Sequence, residues 1–185
     1  MNRKVRNHRL AGYILPSLCA ILIAFAYPKA SANANREGDW RWWDQPSRGD
    51  RYIARTPSLV FKDSYLTVYF DGKKNCAPFL ALAFRPANPD KSIDSLLEGQ
   101  QIEVRVDQSK PILFRTAVGA RSGDQLYFLH PLPENLLEAI SAGNRLLARS
   151  TLAPQIDVFS LSGSAASIRK QQELCQIDPA GGDPP

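Results

Sequence analysis

Three tryptophans fall within four residues, Trp40-Arg-Trp-Trp43, and Arg48, Arg51 and Tyr52 follow closely. Trp, Tyr and Arg carry much of the energy at protein interfaces. Trp40, Trp42, Trp43, Arg48, Arg51 and Tyr52 are therefore the leading partner-binding candidates, and Trp43 is the one expected to face outward. The competing structural reading puts Trp40 and Trp42 on one face of an edge strand, packed onto a sheet.

The other patterns that could do chemistry are thinner. Serine-histidine-acid hydrolysis needs a histidine as proton carrier, and beyond the basic N-terminus only His130 remains, beside Pro131. Ser167-Ile-Arg-Lys170 matches the S-x-x-K pattern of serine acyl enzymes, but no Lys-Thr-Gly accompanies it. Glu134 with Glu138, and Asp90 with Asp94, lie one turn apart on candidate helices. General acid/base work would require unequal environments for the two carboxyls of a pair, and polar helix faces are ordinary places for them. Arg48-Gly49-Asp50 is the tripeptide that integrins read, and equally a common turn. Cys76, Cys175 and His130 lack the close ligand spacing of a structural zinc site. No catalytic residue, metal or cofactor is assigned on this basis.

The elements that must position these residues begin after an export segment. Five of the 23 Lys+Arg, namely Arg3, Lys4, Arg6, Arg9 and Lys29, precede residue 33, and none of the 18 Asp+Glu does. From residue 33 onward the two counts are equal at 18, so the mature chain is formally neutral and a nucleic-acid partner loses its support. A basic start, an apolar run over residues 17–27 and the small-x-small sites Ala30-Ser31-Ala32 and Ala32-Asn33-Ala34 describe a secretory signal peptide. Residues 1–32 are assigned to it, with cleavage after Ala32 or Ala34. The alternative is an uncleaved anchor over residues 10–27, kinked at Pro16. Membrane contact is expected only through this segment, and lipidation at Cys19 is disfavoured by the preceding Leu18.

Two cysteines survive cleavage, Cys76 and Cys175. In an oxidising compartment that count reads as one disulfide, closing a loop of about 100 residues; two unpaired buried thiols are the alternative. Residues 33–57 read as an extended aromatic and charged arm, 58–177 as a single globular domain and 178–185 as a disordered tail. Within the domain, strands are expected at 59–62, 65–71, 78–84, 102–106, 112–118, 125–130, 145–151 and 155–161. Helices are expected after Asn88, over 133–142 with Gly143 as the stop, and from Ser162 or Ser164 to Cys175. In the last helix Ala165, Ile168 and Cys175 are expected to share the buried face. The fold class is α+β, mainly antiparallel β and sandwich-like, with two or three short helices and one disulfide.

The order of features resembles a loose group of exported bacterial domains. Phe70-Asp71 through Asn75-Cys76-Ala77-Pro78 comes first, then Val104-Arg105-Val106-Asp107, then Leu136 to Leu147, and finally Phe159-Ser-Leu-Ser-Gly163 before a helix ending in Cys175. This pattern is similar to the type VI secretion accessory family and to the invasion-associated locus B family. It departs from both, because Gln176-Ile177 stands where the first favours Trp, and Ser164 follows Gly163 where the second favours Phe. The resemblance implies an envelope-associated, non-enzymatic role. The expectation is a periplasmic or secreted binding protein whose partner is an envelope or secretion-machine protein. A small enzyme acting on peptidoglycan or another wall polymer is the first alternative. A secreted virulence-type factor that binds a host or foreign protein is the second.

Overall fold

Alternating side chains build about half of the described residues into antiparallel β-structure. The computed structural model describes residues 35–45, 51–86, 99–122 and 124–177. The expected signal segment, Arg48 and the tripeptide it begins, the helix expected after Asn88, and the expected tail lie outside these.

The described strands are β1 (Asn35–Glu37), β2 (Trp40–Gln45), β3 (Arg51–Pro57), β4 (Tyr65–Asp71), β5 (Ala77–Phe84), β6 (Gln101–Val106), β7 (Ile112–Arg115), β8 (Val118–Ser122), β9 (Gln125–Pro131), β10 (Arg145–Ser150) and β11 (Asp157–Ser160). The helices are α1 (Glu134–Ala142) and α2 (Ser164–Ile177). Among the described residues one sheet has the order β1-β2-β3-β4-β5-β9-β8 and the other β11-β10-β6-β7. Every pairing is antiparallel.

In β4, Leu66, Val68 and Phe70 enter the main core, while Tyr69 joins a second cluster on the opposite face. The main core also takes Leu80 and Leu82 of β5, Val104 of β6 and Leu146 of β10. The two sheets therefore close over one apolar layer, and α2 lies against β1–β4 beside it. The fold class is α+β with mainly antiparallel sheets, two α-helices among the described residues and the disulfide Cys76–Cys175. The two Cα atoms stand 5.9 Å apart, inside the span a disulfide bridges without backbone movement.

Local departures from the sequence expectation have physical causes. Residues 51–57 form a strand buried on both faces, so the stretch read as an arm is built into the sheet. Residues 59–62 form no strand, and Leu59 and Val60 are 58% and 54% exposed. There the Ser58 hydroxyl accepts hydrogen bonds from the backbone N–H of Val60 and of Phe61, both at 3.0 Å, and turns the chain. The single strand expected at 112–118 is two. Thr116 N–H still bonds Gln100 in one sheet, and Ala117 N–H already bonds Leu129 in the other. On α2, Ala165 is exposed, and Ser164, Ser167, Ile168, Gln171 and Cys175 form the buried face.

The Ser58 hydroxyl also donates to the carboxylate of Asp157 at the start of β11. Asp157 is only 2% exposed. Burial pushes its carboxyl above the usual range, partly offset by the hydrogen bond from Ser58. A folded-state pKa above the unfolded one means that the native state holds the proton more tightly, so stability falls as pH rises through that window. Asp157→Asn keeps an oxygen acceptor for Ser58 and removes the desolvated charge. It should raise the melting temperature at pH 7 by about 3 °C, and the gain should vanish below about pH 3, where both side chains are neutral. A lower melting temperature for the variant at pH 7 would show that the charge is net stabilising.

Candidate functional site

The outer face of the larger sheet gathers an aromatic cluster around one arginine. The register places Trp43 opposite Ile53, Ile53 opposite Tyr69, and Tyr69 opposite Phe79. One step along the strands, Arg41, Arg55, Thr67, Ala81 and Leu129 form the neighbouring row. Tyr69 and Phe79 stack with centroids 5.1 Å apart and planes 9° from parallel. Lys74 Nζ lies 5.0 Å from the Phe79 centroid.

Arg55 is 8% exposed. Its Cζ stands 5.5 Å from the Trp43 ring centroid and 5.1 Å from that of Tyr65. Its Nε donates to Thr67 Oγ1 at 3.0 Å. Burial lowers its pKa, and the neighbouring Tyr127 and Tyr65 oppose that shift. An arginine remains charged even so. The guanidinium is thus held by two ring faces and a neutral hydroxyl, with no carboxylate on it among the described residues. Burial likewise raises the Tyr127 hydroxyl, against the pull of Arg55.

The sequence candidates are distributed by the pleat. Trp40 is fully buried, and its Nε1 donates to the Ser160 carbonyl at 3.0 Å. Trp42 is half-buried and packs on the main core, and Tyr52 is buried in that same core. Arg51 is buried on the outer face, opposite Asp71 and beside Tyr69. Trp43 is half-buried and is the tryptophan that joins Arg55 in the outer cluster. Sequence reasoning missed Arg55, Tyr65, Thr67, Tyr69 and Phe79 as a group. The available signal was the alternation Arg51, Ile53, Arg55 against Tyr52, Ala54, Thr56, which marks a strand ending where β4 begins its return.

The fold resembles that of invasion associated protein B. Its crystal structure, from Bartonella henselae, superposes with a TM-score of 0.56 at 12% identity, covering 77% of this chain and 98% of that one. No family model matches the sequence, and no curated protein does either. The likeness is one of fold, and it lends no support to the type VI secretion resemblance.

Of the remaining chemical candidates, His130, Ser167, Lys170, Glu134 and Glu138 fall among the described residues, and Asp90 and Asp94 lie outside them. His130 is half-buried with its ring 4.5 Å from that of Phe114. Ser167 is fully buried beneath α2 while Lys170 is exposed, so the S-x-x-K pair does not share a site. Glu134 and Glu138 are exposed on α1. Among the described residues no cluster of three or more His, Cys, Asp or Glu could hold a metal, and no helix is long and apolar enough to cross a membrane.

Proposed function

We propose that this is an exported, non-catalytic binding protein that engages a protein partner outside the cytoplasm, with Trp43 as its contact residue. The observation that carries this reading is Trp43 seated over Arg55. A half-exposed indole is held in place by a desolvated cation, which is the pre-ordered aromatic anchor that binding surfaces use. The disulfide supports work in an oxidising compartment. The partner is an envelope component in the accessory reading. The neighbour's description as invasion associated favours a second reading, a secreted factor whose partner belongs to a host or foreign cell.

Crosslinking of the tagged protein in its own envelope fraction tests both. Trp43→Ala should weaken capture of the dominant partner about 30-fold, the scale of an aromatic hot spot. It should cost about 3 °C of melting temperature or less, since a partly exposed cation–π contact contributes little to folding. Unchanged capture by the variant would remove Trp43 from the interface. A partner in the culture medium or on a target cell, rather than in the envelope, would select the second reading.

A further inference from the structure

The outer face of the four-stranded sheet carries a different feature, independent of Trp43. Glu103 and Arg105 of β6, Leu147 and Arg149 of β10, and Leu113 and Arg115 of β7 point outward there, by their register opposite the buried Val104, Leu146 and Ala148. Arg149 grips Glu103 through Nη2 at 2.6 Å and Nε at 3.1 Å. That ion pair forms a wall shared by two shallow depressions. One, of about 270 Å³, runs toward Leu113, Thr151 and Pro154. The other, of about 230 Å³, runs toward Arg105, Leu147 and Ile156. Leu113 and Ile156, in opposite depressions, are 57% and 49% exposed.

The charge on this face is unbalanced although the mature chain is neutral. Arg105, Arg115, Arg145 and Arg149 stand against Glu103 and Asp107. Asp107 is committed to the backbone, its oxygens accepting from the N–H groups of Asn144 and Arg145 at 2.9 Å each. Arg105 and Arg115 have no carboxylate partner among the described residues. The Arg149–Glu103 pair is partly solvated, with side chains 49% and 30% exposed. Such pairs contribute little net stability, so an incoming carboxylate can take over Arg149 at small cost.

We infer that this trough docks an extended acidic segment of a protein partner, seating one apolar side chain in each depression and presenting carboxylates to Arg105 and Arg149. Two depressions of mixed lining, each holding one exposed apolar side chain, with Arg105 and Arg115, unpaired among the described residues, on the same face, suit alternating acidic and apolar side chains. A uniformly anionic surface would need the arginines and would leave Leu113 and Ile156 unused.

The test is an NMR titration of the exported, disulfide-intact protein with the synthetic peptide Glu-Leu-Glu-Leu-Glu. Shifts should concentrate on Glu103, Arg105, Leu113, Leu147 and Ile156. Arg105→Glu and Leu113→Ala should each weaken binding about tenfold, and Trp43→Ala should leave it unchanged. Equal binding of Lys-Leu-Lys-Leu-Lys would overturn the inference, as would shifts located elsewhere. So would capture of the protein by phosphatidylglycerol vesicles without any response to the acidic peptide.

Discussion

Cys175→Ser should lower the melting temperature by about 15 °C, and Cys76→Ser or the double variant should lower it by the same amount. The bond closes a separation of 99 residues. In the chain-entropy account a loop of that length contributes about 4.7 kcal/mol, and a domain of this size loses about 2–4 °C per kcal/mol. The bond ties the C-terminal part of α2 to the turn between β4 and β5. There Asn75 and Cys76 both adopt left-handed φ angles, 54° and 55°. The covalent tie matters more because α2 is weakly glued. Of its buried residues only Ile168 and Cys175 are apolar. Ser164 donates to the Ile140 carbonyl at 2.8 Å. The Ser167 hydroxyl and both polar atoms of the Gln171 amide have no hydrogen-bond partner among the described residues. Each such orphan costs about 1–3 kcal/mol, so the three together offset all of the ~1.5–3 kcal/mol that burying Ile168 contributes. Hydrogen exchange after reduction should therefore rise first in α2, ahead of β4 and β5. Additive losses in the two single variants would show that the cysteines act separately. Uniform exchange over the whole domain would show that α2 is no weaker than the sheets.

That weak seam also marks the limit of what residue patterns disclose. β4 and β6 are legible because their side chains alternate in character, β5 because it is a short continuous apolar run, and α1 because Leu136, Leu137 and Ile140 repeat at helical spacing before a stop at Gly143. α2 is legible as a helix and its buried side in part, since Ile168 and Cys175 face inward as expected, whereas Ala165 is exposed and the polar Ser164, Ser167 and Gln171 are buried without any apolar signal. β3 escaped notice for a related reason. Its two arginines are buried, which simple hydropathy forbids, and the rings of Trp43 and Tyr65 with the Thr67 hydroxyl make Arg55 tolerable there. The candidate site shares that fate. Trp43 stands out by its neighbours in sequence, whereas Arg55, Thr67 and Phe79 meet it only through the pairing of four strands. The trough on the smaller sheet is less legible still, because Arg105 and Arg149 belong to strands that are distant in the chain and adjacent in space.

Gly163→Ala should be the most damaging single methyl in the described fold, costing about 3–5 kcal/mol and about 10 °C of melting temperature. Gly163 has φ of +88°, and a Cβ there would lie 2.0 Å from the carbonyl oxygen of Glu37 and 3.0 Å from the nitrogen of Gly38. The contact is backbone on backbone, so no rotamer change relieves it. Gly38 faces the same seam with φ of +56°, and its own Cβ would meet the Ser162 oxygen at 2.5 Å. Asp39 N–H bonds that same oxygen at 3.0 Å. The two glycines thus let the β1–β2 turn rest directly on the loop that starts α2. The turn in turn sets Trp40, whose Nε1 reaches Ser160 from the adjacent position. Moving the turn by an added methyl breaks those bonds and shifts the strand that presents Trp43. Gly99 supplies the control. Its φ is +71°, but a Cβ there meets nothing within 4 Å among the described residues, so Gly99→Ala should cost only the conformational part, about 1–2 kcal/mol. Equal losses in the two variants would mean that the backbone contact at Gly163 relaxes freely. A larger loss at Gly163, accompanied by weaker capture of the Trp43 partner, would tie this seam to the binding face through β2.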